Sequence, residues 1–185
     1  MRIAIFGGSF DPPHAGHMMA CYYILEVAGV DEVWMVPVYL HPFGKMMAPY
    51  ENRLEMCRIA AEPFGGRVKV VGIEKELSKD GSPVFTVDLL EELKKRYVGH
   101  ELVFVAGSDT LGDAPAWKEF NRIKELATLL ILRRRGHDTE CALQPAMLPE
   151  ISSSFVRETV KNGGDAGALI PSRVLEYIKK ENLYI

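Results

Sequence analysis

Cysteine is scarce in this chain of 185 residues: Cys21, Cys57 and Cys141 are odd in number, far apart and without a CxxC spacing. That excludes a disulfide framework and gives no zinc pattern, so buried thiols in a reducing compartment are expected. Long apolar runs are missing too, with nothing near the ~20 residues that a membrane span requires. The first apolar stretch, "RIAIF", is broken at once by glycines, so no secretory leader is read there. The placement expected is cytoplasmic, with no membrane partner. Excess charge of either sign is also absent. With 22 basic and 25 acidic residues the net charge is -3, so no global field draws the chain to nucleic acid, and any polyanion must be held by a local site. Two common phosphate-binding signatures, G-x-G-x-x-G and G-x-x-x-x-G-K-[ST], do not occur.

What is present is a globular composition, 48% apolar and 25% charged, at a length that buries a core. Five short runs, "RIAIF" (2–6), "EVWMVPV" (32–38), "RVKVVGI" (67–73), "ELVFVAG" (101–107) and "ATLLILR" (127–133), are nearly continuous in apolar residues. That is the pattern of parallel strands covered on both faces. Helical spacing separates them: Leu54, Cys57 and Ala61 in one segment, Leu89, Leu90, Leu93 and Tyr97 in another that ends at Gly99. A last helix is predicted after Pro171, with Val174, Leu175 and Ile178 on its apolar face. The alternation predicts an α/β fold, a Rossmann-like doubly wound parallel sheet, in a single domain over 1–185. "LHPFGKMMAP" and "RRRGHDTECALQPAMLPE" are weakly patterned, follow predicted strands, and so are expected at the carboxyl edge where open sheets bind ligands.

The first strand runs into "GGSFDPPHAGH", Gly7 to His17. Paired glycines let the backbone turn sharply beside a ligand, and a helix starting near Gly16 or His17 would offer amides to phosphate. His14 and His17, three residues apart, fall on one side of a helical turn, with Gly16 between them to give a phosphate room. Asp11 reads as a cap of the turn. Far along the chain, "ISSSFVR" (151–157) offers hydroxyls at a helix start, Ser152 to Ser154, and the charged fork of Arg157.

"GGSFDPPHAGH" resembles the HxGH signature of the nucleotidylyltransferase superfamily, and "ISSSFVR" resembles its ISSTxxR. The finer resemblance is to the bacterial nicotinate mononucleotide adenylyltransferases, carried also by "RLEM", "SPVFTVDLLEEL", "FVAGSDTL" with Trp117, "LRRRG" and the closing "VLEYIKKENLY". It implies transfer of AMP from ATP to nicotinate mononucleotide, with release of pyrophosphate. It implies ATP contacts from Gly8, Ser9, Phe10, His14, His17, Gly107, Asp109, Ser153, Ser154 and Arg157, of which His17, His14 and Arg157 are the catalytic set. Thr86 and Trp117 would line the pyridine pocket, and Lys45 and Arg134 would meet the acceptor phosphate. Magnesium would arrive on the ATP phosphates, with no metal ligands from the chain.

This sequence departs from that pattern in four places: "LHPFGK" where "PPHK" is usual, leaving His41 unassigned, "GSD" for "GAD", a final serine in "ISSS" for threonine, and Phe85 for a tyrosine. Transfer to nicotinamide mononucleotide or phosphopantetheine is the alternative within enzymes. A non-catalytic ATP sensor is the alternative outside them, although a sensor has no need of His14, His17 and Arg157 together. A fragment of a class I aminoacyl-tRNA synthetase, which has a similar turn, is disfavoured by the negative charge and the lack of a tRNA-binding extension. Oligomeric state is left open, a homo-oligomer included.

Overall fold

Five strands, all parallel, form one sheet in the order β3-β2-β1-β4-β5 in a computed structural model that describes residues 1–108, 117–133 and 148–185. The strands are β1 (Arg2–Gly8), β2 (Glu32–Pro37), β3 (Val68–Val70), β4 (Glu101–Gly107) and β5 (Thr128–Leu132). The expected α/β doubly wound sheet is therefore present, with the chain starting in the middle and winding outward in both directions. Each predicted strand is found. The third is shorter than its apolar run because Gly72 ends it and Ile73 opens a short helix, α3 (Ile73–Leu77).

The continuous apolar runs have the cause inferred for them. Ile3, Ile5, Trp34, Val36, Leu102, Phe104, Ala106 and Ile131 face one side of the sheet, where they meet Val87, Leu89, Leu90 and Leu93 of α4 (Thr86–Arg96) and Ile123 and Leu126 of α5 (Phe120–Leu126). Their neighbours Ala4, Val33, Met35, Val103, Val105, Leu130 and Leu132 face the other side, under α1 (Ala15–Val27) and α2 (Tyr50–Ala61). Period-two alternation is invisible in the sequence because both faces are dry.

A third apolar cluster lies outside the sheet layers. Met56 and Ala60 on the outward side of α2 pack against Val156 of α6 (Ser153–Lys161), Ala166, Ile170, and Val174 and Ile178 of α7 (Ser172–Lys180). Fully burying each of the methionine, valine and isoleucine side chains among them contributes about 1.5–3 kcal/mol. This packing carries α6 back over α2 to the carboxyl edge of the sheet. Cys21 and Cys57 are buried between sheet and helices, and burial pushes both thiols up, that of Cys21 to about 12. Cys141 lies outside the described residues.

Candidate active site

The segment after β1 turns at the carboxyl edge, where the Val38 amide donates to the Gly8 carbonyl at 2.9 Å and ties it to the end of β2. Phe10 is buried at 1% exposure with φ of 45°, in the left-handed region that disfavours a bulky residue. Its ring explains the glycine before it: a Cβ on Gly8 would stand 3.1 Å from Phe10 Cζ. The same ring is an edge-on platform for His17, centroid to centroid 4.9 Å.

His14 is the N-cap of α1 and His17 its third residue, so the helix begins slightly earlier than the sequence predicts. The two imidazoles lie 3.7 Å apart with planes inclined by 33°, on one side of the turn as their spacing requires. The His14 amide donates to Nδ1 of His17 at 3.1 Å. That bond makes Nδ1 an acceptor and assigns the ring proton to Nε2. Gly16 serves the histidines directly, since a Cβ there would stand 3.0 Å from His14 Cε1 and Nδ1. The room it gives is room for the imidazole of His14. The first helical amide, that of Ala15, is taken by the Leu169 carbonyl at 2.8 Å.

Asp11 is not a turn cap. It is 1% exposed, and its Oδ1 accepts from the Ala48 amide at 3.1 Å and from the Tyr184 hydroxyl at 2.7 Å. Its Oδ2 lies 3.4 Å from Nη1 of Arg157. The reading as a cap fails because the partners come from three distant segments, which sequence proximity cannot show. Through this residue and its neighbour the segment after β1 and "ISSSFVR" meet. Arg157 Nη1 donates to the Asp11 carbonyl at 2.7 Å, and Ser153 Oγ to the Pro12 carbonyl at 2.9 Å, across 146 and 141 residues of chain. Ser152 caps α6, accepting from the Phe155 amide at 3.1 Å, and Ser154 Oγ accepts from Arg157 Nη2 at 3.1 Å.

The loop after β2 has a different construction. Arg53, 1% exposed on α2, donates to the carbonyls of Ser9 at 2.9 Å, Ala48 at 3.0 Å and Tyr39 at 3.4 Å. Burial works against its charge, and the Asp11 carboxylate offsets this most. Buried Glu74 accepts the Tyr39 amide at 2.8 Å; burial pushes its carboxyl up to about 7, against that hydrogen bond and the pull of Arg53. Both ends of the loop are thus fastened beside the segment after β1. Its middle, with Lys45 exposed, borders an open cavity of about 540 Å3 also lined by His41, Arg53 and Lys75. His41 Nδ1 accepts the Phe43 amide at 3.2 Å, and partial burial and the charge of Lys45 hold its pKa down.

On the far side of β1, Gly107 ends β4 at the same edge, next to buried Ser108. Thr86 opens α4, and Trp117 packs edge-on to Phe104 at 5.7 Å and Phe120 at 6.1 Å. Lys118 joins the two segments, paired with Asp88 at 3.1 Å and lying 5.0 Å from the Phe85 ring centroid. Asp109 and Arg134 lie outside the described residues. Arg53, Glu74 and Tyr184 are the site neighbours that sequence reasoning missed. The sequence marks Arg53 in "RLEM" and Tyr184 in the closing "NLY", neither of which carries chemistry until the chain folds, and it gives no signal for Glu74.

Residues 5–159 match the cytidylyltransferase-like family model. A probable nicotinate-nucleotide adenylyltransferase of Anaeromyxobacter dehalogenans is 41% identical, covering 99% of this chain and 96% of its own. The nicotinate-nucleotide adenylyltransferase of Bacillus subtilis is 32% identical, covering 99% and 98%. The chain belongs to the nicotinate-nucleotide adenylyltransferase family. Its fold is also that of the solved Plasmodium falciparum nicotinic acid mononucleotide adenylyltransferase complexed with NaAD, with a TM-score of 0.83 at 23% identity, covering 99% of this chain and 97% of that one. For this family member, the match spans both segments that meet at Asp11, Pro12, Ser153 and Arg157.

Proposed function

We propose that this chain transfers the adenylyl group of ATP to nicotinate mononucleotide, giving nicotinate adenine dinucleotide and pyrophosphate. The observation that carries the reading is the junction of the two motifs: stacked His14 and His17 at the start of α1, with Ser153 and Arg157 bonded to the same turn. Family membership supports the choice of acceptor. In the reaction an oxygen of the acceptor phosphate attacks the α-phosphorus of ATP. That P–O bond forms as the bond to the β-phosphate breaks, and pyrophosphate carries the electron pair away. The acceptor phosphate is already an anion near neutral pH, so positioning and charge stabilisation supply the rate without a general base. His17, donating from Nε2, is assigned to the transferring phosphoryl, with His14 beside it. Arg157 and the α6 serines are assigned to the β- and γ-phosphates, and Gly107 and Asp109 to the adenosine. Lys45 and Arg134 suit the acceptor phosphate, and Thr86 and Trp117 the pyridine ring.

Among the described residues no group of three or more His, Cys, Asp or Glu side chains could hold a metal ion, and the Asp11 carboxylate is engaged by the chain itself. We assign magnesium to the ATP phosphates that bring it in, which it keeps partly neutralised, as is common for this reluctantly dehydrated ion. Among the described residues no helix is long and apolar enough to cross a membrane, and the buried free thiols of Cys21 and Cys57 suit the reducing cytoplasm. We read 1–185 as one catalytic domain.

The test is pyrophosphate release from ATP and magnesium with nicotinate mononucleotide, nicotinamide mononucleotide and phosphopantetheine in parallel. Strong preference for the first is expected; preference for another would overturn the acceptor, and release with none would favour an ATP sensor. His17→Ala should cost about 2.7–4 kcal/mol of transition-state stabilisation, read as kcat. Unchanged turnover would remove His17 from the reacting centre.

A further inference from the structure

The closing "VLEYIKKENLYI" is a motif that the proposed chemistry leaves unused, yet its end reaches the phosphate segment. After α7 the chain turns through Asn182 at φ 51°, the Leu183 amide returns to the Ile178 carbonyl at 3.0 Å, and Tyr184 follows at φ 63°. Leu183 and Tyr184 both pack against the third apolar cluster. A tyrosine in the left-handed region is costly and persists where its surroundings fix it. What fixes it here is the packing of its ring and the 2.7 Å bond from its hydroxyl to Oδ1 of Asp11.

We propose that Tyr184 is a positioning residue for the ATP phosphates: its hydroxyl sets the Asp11 carboxylate, and Asp11 in turn sets the guanidinium of Arg157. This rests on the reading of Arg157 as a phosphate contact. The chain of contacts is short. Arg157 is held at the Asp11 carbonyl, beside Asp11 Oδ2 and at Ser154 Oγ, so most of its orientation comes from Asp11. Asp11, at 1% exposure, cannot turn to water for a missing partner. Without the Tyr184 hydroxyl, Oδ1 keeps only the Ala48 amide, and the carboxylate is drawn toward the cation next to it. Arg157 and Tyr184 line the same open cavity of about 580 Å3, so a shift of the guanidinium changes what the cavity presents. The ring of Tyr184 supplies packing and its oxygen supplies orientation, and one substitution separates them.

Tyr184→Phe keeps the ring and deletes the oxygen. Binding of ATP with magnesium, measured by titration calorimetry on the full chain without acceptor, is expected to weaken on the order of 10-fold, the size of a lost hydrogen bond to a charged group. In turnover the KM for ATP should rise while that for nicotinate mononucleotide holds. In an Arg157→Lys background the same change should cost much less, because the hydroxyl acts through that guanidinium. Wild-type affinity for ATP in Tyr184→Phe would overturn the proposal whatever happens to its melting temperature, as would an equal loss in both backgrounds. Because binding is read without acceptor, a wild-type chain that binds ATP but makes no dinucleotide overturns the proposed reaction alone, with the Tyr184→Phe affinity still deciding the positioning role. A wild-type chain that binds no ATP overturns both.

Discussion

The segment after β1 and the loop after β2 leave the sheet side by side, and they are specified in opposite ways. From Gly7 to His17 much of the geometry is local: Gly8 clears the Phe10 ring, Gly16 clears His14, and His14 bonds to His17. From Tyr39 to Ala48 the loop is fastened at its ends by groups supplied from elsewhere, Arg53 of α2, Glu74 of α3 and Asp11. Its tip is open, with Phe43 90% and Met46 92% exposed. The first arrangement makes a motif that can be read from eleven consecutive residues; the second spreads its specification over the chain and tolerates a different tip. This accounts for how "LHPFGK" can stand where the family has another sequence while the attachment points remain defined.

The sharpest way to break the contrast is Arg53→Leu, which leaves the carbonyls of Ser9, Tyr39 and Ala48 without that donor and removes a buried cation from the neighbourhood of Asp11. Stability to denaturant should fall by about 3–5 kcal/mol, the cost of removing one member of a buried charged group. A loss below about 1 kcal/mol, the scale of an exposed ion pair, would mean that the loop ends hold themselves.

Glu74→Gln tests the second fastening through pH. The Glu74 carboxyl is raised from 4.5 to about 7 in the folded chain, so between those values the folded state holds a proton that the unfolded state has lost. Wild-type stability therefore falls as pH rises through that window and levels off above it, with an upper size of roughly 3 kcal/mol. The glutamine variant lacks this slope, and its stability relative to wild type should grow from pH 4.5 to 7. Parallel curves in chemical denaturation would show that Glu74 is not desolvated at Tyr39.

The smallest effect belongs to the locally built segment. Gly16→Ala gains up to about 1 kcal/mol of helix propensity and spends it on displacing the His14 ring, so stability should stay nearly level. Turnover should nonetheless fall on the order of tenfold, because a shift of part of an ångström matters where phosphoryl geometry is set. Unchanged turnover would mean that the pairing of His14 and His17 is not needed for rate.

The sequence by itself determined the sheet, since dry parallel strands must be continuously apolar and the helices between them must show one apolar stripe. It also determined the segment from Gly7 to His17, whose glycines and histidines act on neighbours a few positions away. Strand ends, the short helix at Ile73 and the role of Asp11 were not legible. Each depends on contacts made after folding: Asp11 reads as a turn residue until Tyr184, Ala48 and Arg157 arrive from three other elements. Only tertiary packing brought "ISSSFVR" onto the opening turn, by seating α6 and α7 on the outer side of α2. The physical reason is range. Propensity and steric fit act over a turn of chain, whereas a buried charge takes its partners from whatever the fold delivers to it.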